Sequence, residues 1–196
     1  MLKKFFCFLF LVCVLVSCSN NKQIKFNNVV CFGDSLTEGY GSTDGKTYPY
    51  YLQQLVNVPV INKGIDGNTT KDGLDRLDDI LQFKNSLVIV EFGANDFFWQ
   101  VPMQETKNNI EQIVKSLKQN NCTVVLVSTE DKHLLITNNL YDILKTVAKE
   151  NNILFIDGIL NEIWDDRSLF SDEVHPNSDG YKLVADKIYK NIKHLF

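Results

Sequence analysis

No cluster of lysines and arginines occurs anywhere in this chain of 196 residues. Binding to nucleic acid or to an anionic lipid surface is driven by clustered basic side chains, so no nucleic-acid partner is expected. No apolar run reaches the roughly 20 residues of a membrane-spanning helix. Histidine is limited to three residues, none with the spacing of a metal-ligand set. Neither a metal nor a cofactor is therefore expected. No Pro/Gly-rich linker and no internal repeat interrupts the sequence, and its length suits one domain with a full core.

What is present begins with a targeting pattern. Lys3 and Lys4 precede an unbroken apolar run of twelve residues, Phe5 to Val16, the length of a signal-peptide core. The run ends in Leu15-Val16-Ser17-Cys18, which resembles the lipobox of bacterial lipoproteins, where cleavage leaves a lipidated N-terminal cysteine. An ordinary secretory signal or an uncleaved anchor is the alternative. The lipobox resemblance implies a signal peptide over 1–17, a lipidated Cys18 with a polar tether over 18–28, and a folded domain over 29–196. It also implies export and anchorage to a bacterial membrane facing the periplasm. Ser19, directly after the cysteine, favours the outer membrane over the inner. Removing residues 1–17 takes away two lysines and moves the formal charge from -4 to -6, so the mature protein is mildly acidic.

Short apolar runs then alternate with helical patterns. Candidate strands are Val29 to Gly33, Pro59 to Asn62, Leu87 to Phe92, Thr123 to Ser128 and Ile153 to Asp157. The central ones are continuous and rich in Val and Ile, as in strands buried on both faces. Ile110, Ile113, Val114 and Leu117 recur at helical spacing, as do Leu140, Ile143, Leu144 and Val147. Tyr181, Val184, Ala185, Ile188 and Ile192 form a last stripe, its start marked by Pro176 with Asn177 or Ser178 as cap. Strand and helix in alternation imply right-handed crossovers and a three-layer α/β/α fold with a parallel sheet. The expected topology is a flavodoxin-like five-stranded sheet of order 2-1-3-4-5. Ligands in such sheets bind beyond the carboxyl ends of the strands, near the switch point between the first and third. That order separates the strands of Cys31 and Cys122 by about 10 Å, beyond disulfide reach. Two free, largely buried thiols follow.

Residues 31 to 40 read CFGDSLTEGY, which places Ser35 where the first strand ends. A serine hydroxyl is a weak nucleophile without a base, and the base works best when a third group fixes its tautomer. His194 lies at the chain end, and His133 in a polar run with only neighbouring Asp131 to orient it. His175 is preceded three residues earlier by Asp172, and Pro176 disfavours helical geometry at His175. The pair therefore sits in a loop ahead of the last helix, which lets Asp172 meet one ring nitrogen and leaves the other for Ser35. An Asp and a His capping a surface helix is the bland alternative. Acyl transfer also needs donors for the developing oxyanion. Gly64, after the second strand, offers a bare backbone N–H, and Asn95, after the third, offers a side-chain amide. Each of these is also an ordinary turn residue.

Gly33-Asp34-Ser35-Leu36, Gly64, Asn95 within Gly93-Ala94-Asn95-Asp96, and Asp172 with His175 resemble the ordered blocks of the GDSL-type esterases and lipases, the SGNH-hydrolase superfamily. The likeness runs from residue 29 to the C-terminus. It implies Ser35 as nucleophile, His175 as general base and then acid, and Asp172 as its orienting partner. It implies an oxyanion hole of the Ser35 and Gly64 N–H groups with the Asn95 side chain. Two positions depart from the family pattern. Asp66 stands where Ser is common and Glu173 where Gly is frequent, and both add negative charge near the crevice.

Phe97, Phe98 and Trp99 follow Asp96, at the loop that in this family lies beside the acyl pocket. With Asp34 they are the tentative substrate-pocket residues, the alternative being a core-facing turn. In layout the chain resembles the small periplasmic members with arylesterase, thioesterase and lysophospholipase activity. The implied reaction is hydrolysis of short to medium acyl esters, with lysophospholipids or thioesters as further candidates. Carbohydrate O-deacetylation on envelope glycans is the enzymatic alternative, and a non-catalytic binding module on the same fold is the alternative of another class. Activity is expected to rise with pH as the histidine base loses its proton.

Overall fold

The computed structural model describes residues 25–129 and 138–196. Cys18, the signal-like segment and His133 lie outside the described residues. Five parallel strands form one sheet: β1 (Val29–Gly33), β2 (Val60–Gly64), β3 (Leu87–Glu91), β4 (Thr123–Val127) and β5 (Leu154–Ile156). Their order is β2-β1-β3-β4-β5, as the alternating pattern implies. Among the described residues eight α-helices surround them: α1 (Ser35–Glu38), α2 (Tyr48–Gln53), α3 (Thr70–Asp75), α4 (Asp78–Leu81), α5 (Ala94–Phe98), α6 (Met103–Gln119), α7 (Asn138–Asn151) and α8 (Ser178–Ile192).

Strand alternation divides the core. Successive side chains of a strand point to opposite faces. Val29, Cys31, Leu87, Ile89, Val125 and Val127 join α2 and α8 on one face. Val30, Phe32, Val88, Val90, Val124 and Leu126 join α6, α7 and the α3–α4 region on the other. The three long helices bury the stripes read from the sequence, and Asn177 is the cap of α8, its Oδ1 accepting from Asp179 N at 3.0 Å and Gly180 N at 3.1 Å. Cys31 and Cys122 are free and buried, one in each half of the core. Burial pushes the Cys31 thiol up to about 12, which makes it packing rather than a reactive group.

Strand ends differ from expectation in one place that matters. The second strand does not stop at Asn62. It runs on to Gly64, which pairs in register with Gly33 of β1. A side chain there is excluded, because a Cβ on Gly64 would lie 1.9 Å from Glu38 N. This contact seats α1 on β2 and moves the start of the following loop two residues on. Ser35, that loop, Asn95, Thr129 and Leu160 all follow carboxyl ends of strands, so the fold gathers them at one edge of the sheet. Among the described residues no helix is long and apolar enough to cross a membrane.

Candidate active site

Ser35 opens α1. Asp34 is the N-cap, its Oδ1 accepting from Leu36 N at 3.1 Å. The first N–H groups of a helix have no intrahelical acceptor. The Leu36 N–H is taken by the cap, and among the described residues no hydrogen bond engages the Ser35 N–H. The short helix closes at Gly39, in the left-handed region at φ 100.

The His175 loop reaches Ser35 from the far end of the chain. Ser171 N donates to His175 O at 2.9 Å, closing a tight turn next to the Phe170–Pro176 bridge. Gly41 allows this loop to approach, since a Cβ there would stand 1.9 Å from Ser171 Oγ. Within the turn, Asp172 Oδ1 accepts from Val174 N and His175 N, both at 2.8 Å. Asp172 Oδ2 lies 2.8 Å from His175 Nδ1, and His175 Nε2 lies 3.0 Å from Ser35 Oγ. The three residues thus form one continuous hydrogen-bonded chain. Partial burial raises the Asp172 pKa, but bonds from the His175 and Val174 N–H groups and the His175 ring outweigh it and hold the carboxyl below its ordinary range. The Tyr40 ring packs 4.6 Å from the imidazole, and Tyr40 O accepts from Tyr181 OH at 2.8 Å. Ring contact and carboxylate together leave the imidazole one orientation.

The expected oxyanion donors are placed differently. The Gly64 N–H is spent inside β2, donating to Asn62 Oδ1 at 2.9 Å, and Gly64 does not line the cavity at Ser35. Gly67 lies three residues on, beside the cavity-lining Asp66. It has φ 73 and no atom within 4 Å of a built Cβ. No hydrogen bond among the described residues engages its N–H. Asn95 does line the cavity, with Nδ2 donating to Asn68 O at 3.0 Å and Asp34 Oδ2 at 3.3 Å. Its neighbour Asp96 is buried and holds the region together. It accepts from Thr70 N at 2.8 Å, from Thr70 Oγ1, and from Thr106 Oγ1 at 3.1 Å, joining α3, α5 and α6.

A cavity of about 250 Å³ opens beside Ser35, lined on its apolar side by Leu36, Phe97, Phe98, Leu160, Trp164 and Val174. Phe97 and Phe98 are therefore at the wall, as anticipated. Trp99 is not. It lies beyond the last residue of α5 and is 72% exposed, away from the cavity. Leu160, Trp164 and Val174 went unrecognised in the sequence because they sit in irregular segments after β5 and before α8, where no periodicity marks a shared wall.

Asp34 reaches the cavity wall but is only 1% exposed, and its carboxyl is committed to neighbours. Beneath it lies Glu91, also buried, whose Oε2 accepts from Thr37 Oγ1 at 2.9 Å and Asp34 N at 3.4 Å. Burial, then for Asp34 the repulsion from Glu91, raises both carboxyls. A carboxyl raised in the folded state keeps a proton that the unfolded chain releases at about 4. Stability from this source is therefore full at low pH and declines as pH rises through the folded value. The isosteric Glu91→Gln change should make that decline shallower. In thermal unfolding from pH 5 to 8, its melting temperature should gain on the wild type by a few degrees, the shift that about 1 kcal/mol produces in a domain of this size. Parallel curves would show that the two acids do not share a retained proton.

A parallel sheet between two helical layers thus carries a serine, a histidine and an aspartate joined by hydrogen bonds at its carboxyl edge. The GDSL-like Lipase/Acylhydrolase family matches residues 31–183, and the chain belongs to that family. It is 26% identical to an arylesterase of Vibrio mimicus, over 93% of this chain and 96% of that one. It is 27% identical to thioesterase 1/protease 1/lysophospholipase L1 of Escherichia coli, over 86% and 85% of the two chains. An acetylxylan esterase of Geobacillus stearothermophilus is 27% identical, over 82% and 91%. In three dimensions the chain superimposes on the psychrotrophic esterase EstA of Pseudoalteromonas sp. with a TM-score of 0.76 at 24% identity, covering 86% of this chain and 97% of that one. The protein is a carboxylic ester hydrolase of the GDSL type.

Proposed function

We propose that the protein hydrolyses esters of short to medium acyl chains through an acyl-enzyme on Ser35. The observation that carries this reading is the unbroken chain from Ser35 Oγ through both His175 ring nitrogens to Asp172. As the Ser35 oxygen attacks the ester carbonyl, His175 Nε2 takes its proton, and Asp172 stabilises the imidazolium that forms. The tetrahedral oxyanion is met by the Ser35 N–H, the Asn95 amide and the Gly67 N–H, which takes the part first expected of Gly64. Both Asn95 amide hydrogens are engaged in the resting site, and the longer bond, 3.3 Å to Asp34, is the one given up to the oxyanion. His175 then protonates the departing alcohol, and water, activated by the same nitrogen, releases the acid.

The apolar wall is the acyl site. Its volume of 250 Å³ is about eight times the share of one liquid water, ~30 Å³, which suits an acyl group of several carbons. Rates on matched esters from acetyl to decanoyl test this. The optimum should fall between butyryl and octanoyl. Strict preference for acetyl, above all on acetylated sugars, would favour the deacetylase reading that the acetylxylan esterase likeness keeps in view.

Charge at the mouth narrows the leaving group. Asp66 lines the cavity, its N–H bound by Glu38 Oε2, and among the described residues no lysine or arginine lines it. Two like charges a few ångströms apart at an effective dielectric near 20 repel by kcal/mol amounts. Asp66→Asn should therefore raise kcat/KM for an ester with an anionic alcohol several-fold, by less at high salt, and leave a neutral analogue unchanged. An equal effect on both substrates would remove charge as the cause. Anchorage through a lipidated Cys18, supported by the Leu15–Cys18 pattern, would hold such an enzyme at a membrane facing the periplasm, beside its lipid esters.

A further inference from the structure

We infer that Arg76, just past the end of α3, is a positioning residue that holds the oxyanion-binding donors in register with Ser35. The inference rests on the reaction proposed above. Arg76 makes three hydrogen bonds: Nε to Asn68 Oδ1 at 2.7 Å, one terminal nitrogen to Lys63 O at 2.9 Å, and the other to Gly33 O at 2.8 Å. The three acceptors are not scattered. Gly33 is two residues before the nucleophile, while Lys63 and Asn68 bracket the loop that carries Gly67. One side chain thus ties the strand end beneath Ser35 to both ends of that loop.

The third donor is coupled to the same point. Asn68 presents its side-chain oxygen to Arg76 and its backbone oxygen to Asn95 Nδ2 at 3.0 Å. Ser35, Gly67 and Asn95 come from three separate segments, and Arg76 with Asn68 is where those segments are joined. The loop has other ties as well: Ile65 N donates to Gly33 O at 3.1 Å, Asp66 N to Glu38 Oε2, and Asn68 N to Ile65 O at 3.2 Å, while Gly67 itself touches nothing around its Cβ direction.

The guanidinium is itself fixed. It lies 4.6 Å from the Phe32 ring centroid and 5.7 Å from that of Phe92, two rings packed edge to face at 4.9 Å. All three acceptors are uncharged oxygens, so the bonds set geometry rather than neutralise charge. Only a planar fork with several fixed donors meets three acceptors in this way, whereas a lysine ammonium at the same place would satisfy fewer and hold them less rigidly. A displacement of about 1 Å at a reacting group costs on the order of a hundredfold in rate.

The test separates positioning from a plain fold staple. Wild type, Arg76→Gln and Arg76→Lys are each labelled to completion with a fluorophosphonate ester, which counts competent sites, and kcat is expressed per labelled site. Arg76→Gln should lose roughly 10- to 100-fold in kcat per site with KM changed by less than about threefold, and Arg76→Lys should fall between it and wild type. The pH at which the rate is half-maximal should not move, since His175 and Asp172 keep their contacts. Unchanged kcat per site in Arg76→Gln, even with fewer labelled sites or a lower melting temperature, would overturn the inference and make Arg76 structural. Should Arg76→Gln fail to fold, Asn68→Ala removes one tether without opening the core, and a wild-type kcat in that variant overturns the inference equally. A folded wild type that takes no label would instead remove the serine mechanism, and the inference with it.

Discussion

Ser35→Ala is expected to lower kcat for a good ester substrate by about a million-fold, with His175→Ala nearly as severe and the double variant no worse than either alone. The reason is geometric. At 3.0 Å, the Nε2–Oγ contact joins the proposed nucleophile and base as a single unit, so losing either should remove the whole pathway. What survives is catalysis by the oxyanion donors and binding, roughly a thousandfold over water. Steady-state kinetics on the three variants, with purity checked against traces of wild type, decide it. Additive losses in the double variant would mean that Ser35 and His175 act in separate steps.

Asp172→Asn should cost about a thousand- to ten-thousandfold in kcat with KM little changed. An asparagine could still accept from the Val174 and His175 N–H groups through its oxygen, both bonds being 2.8 Å here, so the loop should survive. Its amide would then face Nδ1 and, by donating there, force the ring to carry its proton on Nε2, where it cannot receive one from Ser35. The pair is partly open to solvent, with side chains 42% and 18% exposed, so its loss should barely alter the melting temperature. Because bonds from His175 and Val174 outweigh burial and hold the Asp172 carboxyl below its ordinary range, its charge is fully present at neutral pH. Whatever it contributes is lost only as pH falls through that lowered value. An inflection between pH 5 and 8 is therefore not Asp172. A fall in rate with a matching fall in melting temperature would mean that the residue only braces the loop.

Strand order, the three long helices and the convergence at one sheet edge were readable because each rests on periodicity. The continuous Val/Ile runs of β3 and β4 and the i, i+3, i+4, i+7 stripes of α6 and α7 are strong local signals. The Asp172–His175 spacing was readable because a three-residue loop ahead of a capped helix leaves few other geometries. Gly64 and Gly67 could not be told apart in this way. Both lie in the stretch Asn62 to Thr70, and the choice depends on β2 running to Gly64 so that α1 can close on it, a tertiary contact with no sequence signature. Trp99 was misplaced for a similar reason. The turn of α5 ends one residue before it, and Gln100 at φ 56 takes the chain out toward solvent. Arg76 carried no signal at all, since its acceptors are two backbone carbonyls and one amide oxygen drawn from the end of β1 and the two ends of one loop.

In the proposed reaction Ser35 is a nucleophile made reactive by His175. The most direct measurement is intact and peptide mass spectrometry after exposure of the folded protein to a fluorophosphonate ester. One adduct per chain is expected, located on Ser35, formed in step with the loss of esterase activity and absent from both Ser35→Ala and His175→Ala. A folded, esterase-active protein that gains no adduct on Ser35 would contradict it.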